Sequence, residues 1–489
     1  MKNSVKKLTS LALAALMALS CLTTLTACGD NNENADDTLP AGETAGEGET
    51  KSPYEALEKT PLGGEFVVLS RADVKSDFYV EAYGLEGNTL LDDYIYERNK
   101  VIERDLDITL NIIEGGDYAA VNTTVMNQAT GGLDEYDVFT GHKYTFTGCA
   151  QNNYLYDMND IDSLELSNPW WDKTCRENLT VNGHTVLMVG DILPSSMKIS
   201  SCLAFNKRIL SDLNREAPYD AVKEGKWTLD MLNEMTAGVT SDLNGDGKIK
   251  AQDDQFGMTS WYLNSPYDLY YGTGRVFITI NDDGLPELNY NADEMLAIYD
   301  KIYSILITQE SNFITEIAEI DNDYNSFVEG RALVRTASLG SLTSYSGEME
   351  DDYGVLPQPK YEEKQEDYCS FVNGASAFMG IISTEQNPEF VGAVLEAMGA
   401  YNYTTVSPNM FEIVTKYRST RDPQSAEMVD YIIRNRIFDF GYFFDLAITN
   451  VVRDSLKAKK DSLGSSIKSA DKSSENTLKK ILKAYEKYQ

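Results

Sequence analysis

In a chain of 489 residues, 77 acidic side chains stand against 42 basic ones, for a formal net charge of −35. Phosphate binding needs a basic surface, so this balance argues against nucleic acid as a partner. It names no cationic ligand, because surplus surface acid is commonly a solubility device.

The chain opens with Lys2, Lys6 and Lys7, then an apolar run from Leu11 to Leu19 that is too short to span a bilayer as a mature helix. Leu25-Thr26-Ala27-Cys28-Gly29 follows. Small residues just before a cysteine resemble the lipobox of bacterial lipoproteins. The resemblance implies that residues 1–27 are a signal peptide cleaved after Ala27. It also implies a diacylglycerol thioether on Cys28, holding the protein at the extracellular face of the cell membrane. The alternative is a secretory signal with a chance cysteine. Residues 28–61 contain DNNENADD and AGETAGEGETKSP. They hold too little apolar surface to offset ordering entropy and are expected to form a flexible acidic tether.

The folded body is expected from about residue 62 to 489, enough for a large core and for two lobes. GEFVVLSR (64–71) is rich in β formers. Leu91, Ile95, Val101 and Ile102 recur at helical spacing within 90–106. Strand character returns at 107–113, helix at 118–130 and a buried strand at 136–141. Strand, helix, strand, helix, strand implies a parallel sheet with crossover helices. Ligands bind beyond the carboxyl ends of such strands, and the expected loop Thr140 to Phe146, with His142 and Tyr144, sits at one.

Further on, 186–192 and 200–210 read as an extended pair leading into a helix. A helix opened by Thr228 is expected over 226–239, and an amphipathic one over 292–307. Strands are expected at 332–338 and 352–359. Helices are expected at 388–401, at 425–437 and in the tail from Ser465.

Residues 242–253, DLNGDGKIKAQD, match an EF-hand-type calcium loop. Such a loop needs oxygen side chains at positions 1, 3 and 5, glycine at 6, a carbonyl at 7 and a carboxylate at 12. These places hold Asp242, Asn244, Asp246, Gly247, Lys248 and Asp253. The expected cofactor is structural calcium, with Ile249 anchoring the loop on the core. Asp rather than Glu at position 12 gives a shorter arm. The alternative is a solvated acidic turn.

Pro169-Trp170-Trp171, LTVNGHTVLMVGDI (179–192), AFNKRIL (204–210) and PYDAVKEGKWTLDMLNEM (218–235) come in an order that resembles one family, the family 1 extracellular solute-binding lipoproteins of Gram-positive bacteria. DQFGM (254–258), FVEGRALV (327–334), YGVLPQPK (353–360) and KYRSTRDPQSAEMVDYI (416–432) continue the pattern. His142 and the four body cysteines depart from it. Those cysteines, Cys149, Cys175, Cys202 and Cys369, allow three disulfide pairings, among which the sequence selects none.

The resemblance implies an α/β, two-lobe periplasmic-binding-protein-like fold of type II, hinge-connected, with the ligand cleft between the lobes. Lobe one is expected at 62–188 plus 374–437, and lobe two at 189–373 plus 438–489. The resemblance also implies capture of a carbohydrate, an oligosaccharide, and its delivery to a membrane-embedded permease of an ABC importer. Sugars present apolar ring faces edged with hydroxyls, so a site for them needs aromatic stacking faces. Trp261 and Tyr262 are the first candidates, the alternative being core packing. His142 and Tyr144 come next, then Tyr442 on the hinge side. The rivals are a glycan-active enzyme with paired carboxylates and a sugar sensor or adhesin of the same fold. With no GxSxG or HExxH motif, no enzyme is expected.

Overall fold

The computed structural model describes residues 51–72, 80–316, 320–376, 378–416, 423–460 and 463–488. The signal segment, Cys28 and most of the expected tether lie outside them. Two sheets organise the body. Their strands are β1 (Glu65–Ser70), β2 (Thr109–Glu114), β3 (Val138–Gly141), β4 (Ser201–Asn206), β5 (Phe256–Trp261), β6 (Asn312–Thr315), β7 (Ala332–Ser338), β8 (Tyr353–Leu356) and β9 (Phe378–Ile381).

The first sheet runs β9-β3-β1-β2. β1 pairs in parallel with β2 and β3, while β9 returns antiparallel to β3. Parallel strands need crossovers, and helices α1 (Leu90–Leu106) and α2 (Tyr118–Gly131) supply them. Thr89 opens α1 by accepting from the Asp92 amide at 3.1 Å. Asp107 ends it in the left-handed region at φ 55°. Leu91, Ile95 and Ile102 are buried as their spacing predicts.

The second sheet runs β8-β4-β7-β5-β6. Every residue of β4 is buried, as expected for an interior strand covered on both faces. β5 is parallel to both β7 and β6, and β4 and β8 are antiparallel to their neighbours. The two sheets form the two lobes. A short parallel pair, Ser370–Phe371 with Arg436–Ile437, lies where the chain crosses between them.

Several expectations are corrected. The tether ends near residue 51, not 61. A capping box between Ser52 and Glu55 opens a helical turn over Pro53–Ala56. Tyr54 is buried there, 5.2 Å from the Tyr401 ring, and donates to Asp105 at 3.0 Å. These contacts fasten the segment to the body. The expected loop at 140–146 is instead the start of helix α3 (Lys143–Asn152), with His142 as its N-cap. Residues 186–192 do not pair with 200–210; Met188 bridges to Met379 and Gly190 to Trp171.

The lobe boundaries also differ. Helices α4 (Leu229–Thr236), α5 (Ser265–Gly272) and α6 (Pro388–Tyr401) precede α7 (Pro423–Arg434). α7 packs on β8, and its Val429 and Ile432 join Cys202, Ala204 and Val355 in one buried cluster. It therefore belongs to lobe two, not to lobe one. The tail divides. After a short turn α8 (Phe440–Phe443), α9 (Val451–Lys457) packs on α5 of lobe two, whereas α10 (Gly464–Tyr485) packs on α3 of lobe one. Cys149, Cys175, Cys202 and Cys369 are free thiols. Among the described residues no helix is long and apolar enough to cross a membrane.

Candidate functional site

Parallel strands send their carboxyl ends to one edge of a sheet, where helix amino termini and loops leave a crevice. In lobe one that edge carries Arg71 after β1, Tyr118 after β2 and His142 after β3. In lobe two it carries Trp261 at the end of β5, and the ends of β6 and β7.

The lobe-one edge is an aromatic platform. His142 stacks on Tyr144 with centroids 4.8 Å apart, and Tyr118 lies 5.4 Å from His142 and 6.2 Å from Tyr144. His142 Nδ1 accepts from the Tyr144 amide at 3.3 Å, which turns its ring toward Tyr144. Tyr118 is 43 % exposed and Tyr144 46 %, so both offer ring faces to a ligand. Sequence reasoning named His142 and Tyr144 and missed Tyr118. Its signal was its place as first residue of the helix after β2.

A buried cation ties this platform to the hinge. The Lys143 ammonium lies 5.0 Å from the Tyr144 ring centroid and 3.8 Å from that of Tyr442. It donates to the Tyr442 carbonyl at 2.8 Å and stands 3.5 Å from Asp445. Burial pushes its pKa down to about 8, against the raising effect of Asp445. Thr147, one turn along α3, donates to the Phe443 carbonyl at 2.7 Å.

Tyr442 itself is buried, contrary to a place on an open wall. Its hydroxyl accepts from the Gly374 amide at 3.1 Å, and its ring meets Phe371 at 4.8 Å and Tyr267 at 5.1 Å. Burial holds that hydroxyl well above the ordinary tyrosine range. Tyr442 thus braces the crossing segments. Beyond it, Arg453 of α9 lies over the Tyr267 ring at 5.6 Å.

Trp261 is half-buried. Its amide donates to Ser265 Oγ at 2.9 Å, which sets the turn from β5 into α5. Its indole nitrogen is buried and has no hydrogen-bond partner among the described residues. Tyr262 is buried, its hydroxyl accepting from Lys457 at 3.2 Å with the ammonium 4.5 Å from its ring. Among the described residues no ring contact joins Trp261 or Tyr262 to the lobe-one platform.

The loop at 242–253 is exposed. Asp242 accepts from the amides of Gly245 at 2.7 Å and Gly247 at 2.8 Å, and Asn244 from that of Asp246 at 2.9 Å. Gly245 and Gly247 have φ of 73° and 76°, the bend this loop type requires. The Lys248 amide donates to Asp246 at 2.8 Å. Ile249 is 48 % exposed and does not anchor the loop. Asp254 does so instead: fully buried, it accepts from the Leu243 amide at 2.9 Å and the Lys250 amide at 2.8 Å. The Lys250 ammonium stands 2.6 Å from Asp246 and 3.8 Å from Asp253, between two expected ligands. That hydrogen bond first, then the Lys248 amide, holds the Asp246 carboxyl below its usual range. Among the described residues no His, Cys, Asp or Glu cluster is arranged to hold a metal ion. The loop's oxygen side chains are of the kind calcium takes, and the Lys250 ammonium stands among them.

No family model matches the sequence. No curated protein sequence matches it either. Solved structures do match. An ABC substrate-binding protein of Listeria monocytogenes, in complex with cycloalternan, aligns with TM-score 0.54 at 14 % identity, over 86 % of this chain and 99 % of its own. The GacH receptor of Streptomyces glaucescens, studied unliganded and with acarbose, aligns with TM-score 0.51 at 14 % identity, over 88 % and 100 %. UgpB of Mycobacterium tuberculosis, in complex with glycerophosphocholine, aligns with TM-score 0.53 at 14 % identity, over 86 % and 98 %. The likeness spans nearly the whole of each neighbour. It establishes the two-lobe periplasmic-binding-protein fold that the sequence led us to expect.

Proposed function

We propose that this protein is an extracellular solute-binding protein that captures an oligosaccharide between its lobes and delivers it to the permease of an ABC importer. The observation that carries the reading is the placement of aromatic side chains. Tyr118, His142 and Tyr144 stand at the strand ends of lobe one, and Trp261 stands at the corresponding edge of lobe two. Stacked ring faces with nearby polar groups are what a sugar needs. Two of the structural neighbours above were solved with cycloalternan and acarbose, which supports the same ligand class. Ligand closes the lobes about the hinge by favouring the closed state.

The reading is of a binding protein rather than an enzyme. It places a lipid on Cys28 at the cell surface, supported by the lipobox and the acidic segment behind it. It places calcium in the loop from Asp242 to Asp253, supported by the spacing and the two glycine turns.

Calorimetric titration with a panel of oligosaccharides tests it, alongside a reducing-sugar assay on the same mixtures. The expected result is saturable binding of at least one glycan with no release of new reducing ends. Binding of none, or hydrolysis, overturns the reading.

A further inference from the structure

In a chain of net charge −35, two cations stand together on the lobe-two side of the site. Arg453 and Lys457 are four residues apart on α9 and therefore share one helix face, with Cβ atoms about 5–6 Å apart. Each lies on a tyrosine. Arg453 is 5.6 Å from the centroid of Tyr267, and Lys457 is 4.5 Å from that of Tyr262. Tyr262 directly follows Trp261 at the end of β5. The two cations thus lie on the lobe-two side, over the segment that runs from β5 into α5.

Their nearby charges are accounted for. Arg453 spends Nε and Nη2 on Asp454, each at 2.8 Å, and Asp454 is 61 % exposed. An exposed pair between adjacent residues is weak and easily exchanged for a ligand carboxylate. Lys457 forms no ion pair among the described residues. A cation in the last turn complements the helix dipole, but that does not explain why both cations lie over tyrosines of the segment that follows Trp261. The hydroxyls of a neutral sugar can be met by carboxylates, amides or cations alike, so a neutral ligand by itself gives no reason for a guanidinium and an ammonium to stand together in so acidic a chain. An anionic sugar approaching so acidic a protein needs local positive charge to offset the surrounding field.

Resting on the carbohydrate reading above, we infer that the ligand is an anionic glycan, one whose carboxylate or sulfate groups are gripped by Arg453 and Lys457 while its rings stack on the neighbouring aromatics. Charge-assisted bonds to Arg are directional and strong, so these two residues set specificity rather than fold.

The test titrates the protein with three oligosaccharides of equal length: a neutral malto-oligosaccharide, an oligouronate and a sulfated glycan. At least one anionic ligand is expected to bind about tenfold or more tightly than the neutral one, and to weaken as salt rises. Arg453→Gln and Lys457→Gln are each expected to weaken the anionic ligand roughly tenfold while leaving melting behaviour unchanged. The two anionic arms separate carboxylate from sulfate recognition. Equal or tighter binding of the neutral glycan overturns the inference and leaves the carbohydrate reading intact. So does anionic binding that neither variant disturbs. Binding of none of the three overturns both.

Discussion

Lys143 sets its ammonium 3.8 Å from the ring centroid of Tyr442 and donates to the carbonyl of the same residue at 2.8 Å. The two residues are 299 positions apart, and the contact fastens the first residue of α3 in lobe one to the segment that crosses between lobes. It does so with a charge that burial disfavours.

That cost is a prediction. Burial lowers the Lys143 pKa from 10.5 to about 8 in the folded state. Between these values the unfolded chain binds more protons, so this residue makes stability rise with pH across that window. The full difference is worth about 3 kcal/mol. Lys143→Met keeps the aliphatic stem and removes the charge. It is expected to melt higher than the parent at pH 7, with the gain shrinking as pH climbs from 8 to 10.5. Melting curves over that range decide it; a variant less stable at pH 7 would count against a costly ammonium.

Trp261 tests the sugar site. Trp261→Ala is expected to weaken glycan binding several-fold, because such aromatic contacts contribute about 0.5–1.5 kcal/mol beyond their area. Stability should change little, since the ring is half-buried. If it were core packing, the loss would be about 3–5 kcal/mol. Melting and titration of one variant separate these outcomes. Trp261→Phe removes the unpartnered buried indole N–H and should not destabilise, because an unsatisfied donor costs about 1–3 kcal/mol.

Calcium added to the protein is expected to raise its melting temperature, and chelator to reverse the gain, because an ion that binds only the native state stabilises it by mass action. Asp246→Ala should abolish the response. Lys250→Ala should sharpen it, since that ammonium stands 2.6 Å from Asp246. An unchanged melting curve with and without calcium would remove the ion from the loop.

Glu396 is the hub of a buried junction in lobe one. It accepts from the indoles of Trp170 at 2.6 Å and Trp171 at 3.2 Å, and from the Glu165 amide at 2.5 Å. Glu396→Ala strands the two buried indole donors and removes the acceptor of the part-buried Glu165 amide and Asn168 side chain, and is expected to cost about 3–5 kcal/mol. Denaturant unfolding measures it, and a loss below about 1 kcal/mol would show that water replaces the carboxylate.

Local patterns were legible in the sequence because their causes are local. The apolar spacing of Leu91, Ile95 and Ile102 marked α1, Thr228 marked the start of α4 by accepting from the Met231 amide, and the parallel character of the first three strands followed from their alternation with helices. The strand-end positions of His142 and Tyr144 followed from the same alternation. The sequence by itself also determined the excess of acid, the acidic stretch behind Cys28 and the two glycine turns of the 242–253 loop.

Only the tertiary structure decided which surface each apolar face would cover. Periodicity marks a buried side but not its partner, so α7 was assigned to lobe one although Val429 and Ile432 pack against Cys202 and Ala204 of lobe two. It also decided the role of Tyr442, whose aromatic side chain suits a sugar or a core equally until Gly374 and Lys143 close on it. Asp254 rather than Ile249 anchors the exposed loop, because two backbone amides converge on its carboxylate. The meeting of Arg453 with Tyr267, and of Lys457 with Tyr262, joins residues 186 and 195 positions apart along the chain. Such contacts exist only once the sheets and their crossings hold distant segments together, since nothing within one segment fixes where its cations or its apolar face will lie.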